Sequence, residues 1–512
     1  MMEVWKESYI GALLMRFWAL LTVDWPQSVC GRALDAIERW VVHGAKESAI
    51  CQFLWRDGLL ARRWKDSLTC GLLDGLLNLP GAVCGWIYRK GKNFWDGSAV
   101  CRLVGRLGWM FALPMGLFLL VMLVVPHGHW DNRYALLGAV ALTGLFVVGN
   151  CGREDRRLEL HGVGPYFVLF MGFACFAFVT SISRKQSLRF VGFYLTLFLI
   201  VLLVVSAVKS YDQLKWLLAL VVAGLTVASV YGCYQAVIGV EVVPSQQDMA
   251  LNAGMPGRIY SFFDNPNNFA EILVMLMPFA LALFLNAETW RGKLWGLFAL
   301  CVSAVSLGAT LSRSGWLGMA FAVVVFLFLE NWKLIPLIVV LAVCALPLLP
   351  DYIYNRLLTI GNTRDSSLNY RFAIYQASGV LLKDYWFKGV GLGSNVLKTA
   401  FEAYPPMFDG NYPIHTHNNY LQVWGEMGIV GLITFLGTIL YQLKQGVKAY
   451  LRTTDKRLRR FQAAAVAGFC GILLISAAEY TWFYPRNMFF YWFLFGVIMA
   501  CAKLAPEEKV TP

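Results

Sequence analysis

Two histidines in the run HTHNNYLQVWGEMGIVG, His415 to Gly431, stand at the mouth of an apolar segment, just after a long polar stretch. An imidazole at a water–lipid boundary can take a proton near neutral pH. One placed just ahead of a helix start feels the positive end of the dipole, which favours the neutral, basic form that a general base requires. The plainer account of His415 and His417 is that they are interfacial side chains satisfied by loop carbonyls. Arg313, in GATLSRSGWLG, lies in a very short turn between two apolar segments of barely spanning length, so its guanidinium sits at or slightly below the interface. Snorkelling accounts for such a residue. Against that, an arginine held between two helix ends is expensive without an anion, and a diphosphate offers bidentate partners. A third polar stretch, GRIYSFFDNPNNFAEIL, carries Arg258 and Asp264; its DNPNN reads as a turn with Asn267 or Asn268 capping the helix that follows.

The elements that must position these residues are membrane helices. Of 512 residues, 58% are hydrophobic and 15% charged, and mean hydropathy is +0.56, far from the soluble range of about 25% charged. The chain is therefore expected to be an all-α, polytopic membrane protein. From Gly108 on, apolar runs recur near 108–126, 134–150, 164–182, 190–208, 214–240, 268–286, 294–311, 315–330, 333–349, 419–443, 461–479 and 486–503, about twelve spans. A long external loop, 350–418, joins the ninth to the tenth. The connection after the tenth carries Lys444, Lys448, Arg452, Lys456, Arg457, Arg459 and Arg460, and that after the second carries Arg153, Arg156 and Arg157. The positive-inside rule makes both cytoplasmic. Alternation then puts both termini inside, and 241–267, 312–314 and 350–418 outside, so the three polar sites share one face.

Residues 1–107 form an N-terminal cytoplasmic or membrane-surface region of unknown role, and 108–512 the transmembrane domain. In the first region Tyr9 to Val23 and Thr69 to Tyr88 are interrupted by Arg16, or by Asp74 and Pro80, and are expected to be amphipathic helices on the surface. The formal charge of +13 is spread over short connections, which suits topology and anionic membrane lipids, with no nucleic-acid partner expected. Twelve cysteines without a CxxC pair indicate neither a disulfide framework nor a zinc site, and no metal or cofactor is expected. The N-terminus has no signal-peptide pattern, so no removable leader is expected.

In the 350–418 loop, SLNYRFAIYQASGVLLKDYWF has helical spacing and begins near Arg371; the following FKGVGLGSN, with Gly389, Gly391 and Gly393, reads as a tight turn, since no βαβ pattern surrounds it. Gly425, Gly428 and Gly431 recur every three residues and suit close approach of another backbone. Glu426 lies about two turns into the tenth span, where a carboxylate needs a salt bridge or hydrogen bond.

His417, Asn418, Gly428 and Gly431 match position for position the signature of the O-antigen ligase family, which includes O-antigen polymerases. The resemblance runs roughly from Gly257 to Tyr484 and is specific at GR…DNPNNFA, SRSGWLG, the arginine followed by GVGLG, and the histidine signature. It implies an all-helical glycosyltransferase of the bacterial cytoplasmic (inner) membrane, acting on its external face. Such enzymes take a glycan from an undecaprenyl diphosphate carrier, without a metal and with inversion. A ligase passes it to lipid A-core in lipopolysaccharide biosynthesis. By this resemblance His417 deprotonates the acceptor hydroxyl, and Arg313 and Arg371, with Arg258, hold the diphosphate. His415, Asn418, Asp264 and Glu426 are supporting candidates. A polymerase extending surface polysaccharide is the nearest alternative. A flippase for the lipid-linked glycan fits less well, because the span centres are nearly free of charge.

Overall fold

The computed structural model describes residues 23–153, 155–243, 255–361 and 366–506, with Ala12, Arg16 and Ala19 as isolated positions before them. Most of the stretch Tyr9 to Val23, and residues 244–254 of the 241–267 segment, lie outside the described residues. Every element among the described residues is helical. In chain order the longer ones are α1 (Val29–Glu47), α2 (Leu68–Lys90), α3 (Ala99–Trp109), α4 (Ala112–Val124), α5 (Asn132–Gly149), α6 (Pro165–Val179), α7 (Arg184–Ala207), α8 (Tyr211–Ile238) and α9 (Pro266–Asn286). They continue with α10 (Trp290–Ala309), α11 (Arg313–Asn331), α12 (Ile335–Ala345), α13 (Asp351–Leu358), α14 (Ser366–Tyr385), α15 (Ser394–Phe401), α16 (Asn419–Arg452), α17 (Lys456–Ser476) and α18 (Pro485–Leu504).

Local chemistry sets many of the starts. Ser98, Asp131, Ser210, Thr289, Ser312, Asn418 and Asp455 cap α3, α5, α8, α10, α11, α16 and α17 through their side-chain oxygens. Proline at the first helical position opens α6, α9 and α18. The sixth expected span is capped by Asn265, whose side chain accepts from Asn267 N at 2.8 Å, and not by Asn267 or Asn268. Pro266 occupies the first helical position, which makes the residue before it the cap. Helix α18 is buried on nearly every side and is apolar all round, as a central helix must be. It packs with α7, α9, α16 and α17.

Among the described residues ten helices are long and apolar enough to cross a membrane, or eleven if the α3–α4 pair, bent by 76°, counts as one. The expected third span is the shorter helix α6, and the expected eighth and ninth fall in one apolar run of 36 residues, Arg313–Leu348. A straight helix of that length would extend about 54 Å. From Leu348 to Thr359 the chain can return no more than about 25 Å, since it contains the eight-residue α13. Yet Arg313 Nη1 donates to Thr359 O at 3.0 Å and Arg356 Nε to Leu311 O at 3.3 Å. The run therefore folds back, and it does so at Asn331–Leu334, where Asn331 leaves helical geometry. At that bend Lys333 is held by Asp35 and Glu38.

The two ends of the bundle differ in chemistry. One gathers basic connections: Lys209 and Lys503 converge on Glu159, Lys444 and Lys448 on Asp57, and Lys333 on the pair just named. Helix α2 lies across this end even though its length would allow it to cross. Its Asn78 exchanges hydrogen bonds with Leu158, Asp74 accepts from Leu160 N, and Gly85 and Tyr88 touch Cys151 and Gly152. The opposite end carries Arg258, Arg313, Arg371, His415 and His417.

Candidate functional site

The site begins where α16 begins. Asn418 caps the helix by accepting from Leu421 N at 2.9 Å, and its amide donates to Ala477 O at 2.9 Å. That tie brings the α17–α18 connection against the histidine loop. His417 sits at φ +47°, in the left-handed region a side chain seldom adopts. The conformation is held from two sides, by Tyr375 Oη donating to His417 O at 3.2 Å and by His417 N donating to His415 Nδ1 at 3.3 Å. Such a residue costs about 1–3 kcal/mol and persists only where its surroundings enforce it.

The side chain of His417 points to Glu479, with Nδ1 3.2 Å from Oε2. The other oxygen of Glu479 accepts from Arg371 Nη2. One carboxylate thus joins the two residues that the sequence placed on separate segments of the loop. Burial pushes the Glu479 carboxyl up, but Arg371 and then His417 outweigh it and hold it at about 2, so it is ionised throughout the working range. His415 is different. Its ring lies between His417, 4.2 Å centroid to centroid, and Phe483, 4.5 Å. Burial, with the neighbouring His417 second, pushes its pKa down to about 3, so it stays neutral. The His417 side chain, by contrast, is 28% exposed.

Three further arginines share this end. Arg258 is buried; its Nε donates to Thr310 O at 2.9 Å and its Nη2 to Asn267 Oδ1 at 2.6 Å. Asn267 also accepts from Ser312 Oγ at 2.9 Å, which ties the GR…DNPNN stretch to the SRSG turn. Burial lowers the Arg258 pKa to about 9, helped by the charges of Arg356 and Arg313 and opposed by Glu479. Arg356, Arg313 and Glu479 therefore lie within electrostatic reach of Arg258. The Nε of Arg371 is buried and has no partner among the described residues. Arg356 and Glu479 were not anticipated from sequence.

The glycine segment after α14 has a specific job. Gly389, Gly391 and Gly393 all have positive φ, and Val390 N and Gly391 N donate to Gly425 O and Glu426 O at 2.8 and 3.0 Å. They insert into a break in α16 at Gly428, φ +72°, where a Cβ would lie 1.8 Å from Phe387 O. Of the three glycines, Gly428 alone admits another backbone, a loop in place of a second helix; Gly425 and Gly431 face the side chains of Leu397 and Met427. Glu426 is buried and accepts from Gln422 Nε2 at 2.7 Å, the hydrogen bond expected of it. Asp264 accepts from Asn268 Nδ2 at 2.7 Å. Among the described residues no group of three or more His, Cys, Asp or Glu is placed to hold a metal ion.

Residues 296–436 match the O-antigen ligase family. This supports assigning the chain to that family. The matched residues include Arg313, Arg371, His415, His417, Asn418 and Glu426; Arg258, Asp264 and Glu479 lie outside them. No curated protein matches the chain. A match to the O-antigen ligase family on an all-helical scaffold of candidate membrane spans supports a membrane glycan-processing protein.

Proposed function

We propose that the chain is a metal-independent, inverting glycosyltransferase that moves a glycan from an undecaprenyl diphosphate carrier to an acceptor hydroxyl, on lipid A-core or on another glycan. The observation that carries this reading is Glu479, which binds His417 with one oxygen and Arg371 with the other. Nδ1 of His417 is engaged by Glu479, so Nε2 takes the acceptor proton. The acceptor oxygen attacks the anomeric carbon from the face opposite the leaving group, the bond to the lipid diphosphate breaks, and a single displacement inverts the centre. Glu479 orients the imidazole and stabilises the imidazolium, a base-and-orienter arrangement known from hydrolases. The diphosphate leaves with more negative charge than it had in the glycosidic bond. Arg371, with Arg313 and Arg258, stabilises that charge, and guanidinium forks can do this without a divalent ion. His415, neutral and packed, supports the loop.

In the same reading the bundle makes twelve crossings, with α4 and the short helices α6 and α12 each counted as one and α2 on the surface. The bacterial inner membrane holds it with both termini cytoplasmic and with the 350–418 connection and its short helices outside. A reporter at 350–418 should then read external and one at 444–460 cytoplasmic; opposite labelling would put His417 on the wrong side.

The deciding test is single-turnover transfer with a defined undecaprenyl diphosphate glycan and candidate acceptors, read by intact mass. His417→Ala and His417→Gln should lose about 10²- to 10⁴-fold in rate with donor affinity retained. A dead His415→Ala beside a normal His417→Ala would overturn the assignment. Movement of the carrier across the bilayer without a transfer product would overturn the enzyme reading itself.

A further inference from the structure

At the opposite end of the bundle the surface helices line a cleft of about 320 Å³, with Tyr88, Trp95, Asp96, Arg102, Arg106 and Arg153 among its walls. Its walls come from close backbone contact. Gly108 of α3 and Gly149 of α5 leave no room for a Cβ on either side, which presses α3 against the end of α5. Arg102 and Arg106 are four residues apart on α3 and so share a face. Arg153 is anchored across from them, its Nη1 donating to Gly105 O at 3.2 Å and Gly149 O at 3.1 Å. Arg102 Nη1 donates to Asp96 O at 3.0 Å and Gly97 O at 3.3 Å. Both guanidiniums are thereby fixed through one nitrogen. The side chain of Arg106 makes no hydrogen bond or ion pair among the described residues. Asp96, which accepts from Tyr88 Oη at 3.3 Å, is the one carboxylate in the lining among the described residues. Three guanidinium forks against one carboxylate make a site for an anion with several acceptor oxygens.

The surroundings say what carries that anion. On α3 the neighbouring face presents Val100, Leu103 and Leu107, all exposed and spaced as one helical stripe. The 76° bend to α4, which enters the bundle, lays α3 along its end. Cationic cleft and apolar stripe therefore lie side by side on a helix at the membrane boundary, the pattern an amphiphile fits. We propose that this cleft binds the phosphate of an anionic phospholipid from the leaflet at this end of the bundle, with the acyl chains along Val100, Leu103 and Leu107.

The test is lipid binding to the full chain in detergent, read by native mass spectrometry with dioleoylphosphatidylglycerol, dioleoylphosphatidylcholine and inorganic phosphate as separate probes. The wild-type chain should hold one equivalent of the anionic lipid at least tenfold more tightly than the zwitterionic lipid. Arg106→Gln should lose that equivalent by about tenfold, and Arg106→Lys should retain part of it. Arg106 is chosen because its side chain holds no other element, so the variant folds; an unchanged melting temperature confirms this. Equal binding of the two lipids, or unchanged anionic-lipid binding by Arg106→Gln, overturns the proposal. Inorganic phosphate that displaces the lipid at equal concentration overturns the lipid as the source and leaves a soluble phosphate site.

Discussion

Replacing Glu479 by Gln tests the catalytic geometry most sharply, because it removes a charge while leaving the shape. In the proposed mechanism His417 becomes a cation as it takes the acceptor proton, and its Nδ1 lies 3.2 Å from Glu479 Oε2. With charge centres about 4 Å apart and an effective dielectric of about 20, the carboxylate stabilises that cation by about 4 kcal/mol. The imidazole is 28% exposed, so solvent screening brings the figure to about 2–4 kcal/mol. At 1.36 kcal/mol per decade this is a rate loss of about 30- to 900-fold. The same change frees Arg371, so donor affinity should hold or rise while the rate of transfer falls. Glu479→Asp keeps the charge but is one methylene shorter and reaches one of its two partners, which predicts an intermediate loss.

The assay is single-turnover transfer in nanodiscs, with donor binding measured separately at equilibrium. A structural role alone would lower melting temperature, donor affinity and rate together. The mechanistic role separates rate from affinity. Transfer by Glu479→Gln within threefold of the wild-type rate would refute the reasoning, as would a rate loss that disappears when the variant is assayed at a lower, stabilising temperature.

Arg371→Lys and Arg313→Lys keep the charge and lose the planar fork, so transfer should drop about tenfold or more with membrane insertion intact, and the alanine variants should be worse; full activity of both alanine variants in the mass assay would mean that the diphosphate is held elsewhere. His415 titrates at about 3 in the fold against about 6.5 unfolded. The unfolded chain therefore binds more protons between those values, and stability should fall as pH falls through that window by up to about 1.4 kcal/mol per unit. His415→Asn should flatten that part of the pH–melting curve, and parallel curves for the two proteins would contradict the buried, neutral assignment. Gly428→Ala should abolish folding or cost more than about 3 kcal/mol, because φ is +72° and the Cβ would meet Phe387 O at 1.8 Å. Gly425→Ala meets only the flexible Leu397 Cδ1 at 3.1 Å and should shift the thermal midpoint far less.

What could be read in the sequence follows how local each signal is. The histidine signature, the arginine turn and the glycine run are contiguous, and each depends on a helix start or a turn set within a few residues. Helix positions were legible for the same reason. The span count was harder where the apolar pattern runs through a bend, as at Asn331–Leu334, since composition does not change there. Arg356 and Glu479 gave no such signal. A single charge near the end of an apolar run reads as an interfacial residue, and Glu479 within ISAAEYTW reads in that way. Its two partners lie 62 and 108 residues away, and only packing of α14, α16 and α17 at one end brings them to a common carboxylate. A motif can therefore point to a candidate base from its place ahead of a helix. In the proposed mechanism the group that orients the base belongs to the connection after another helix, and its identity becomes visible only once tertiary closure has chosen which charge the imidazole faces.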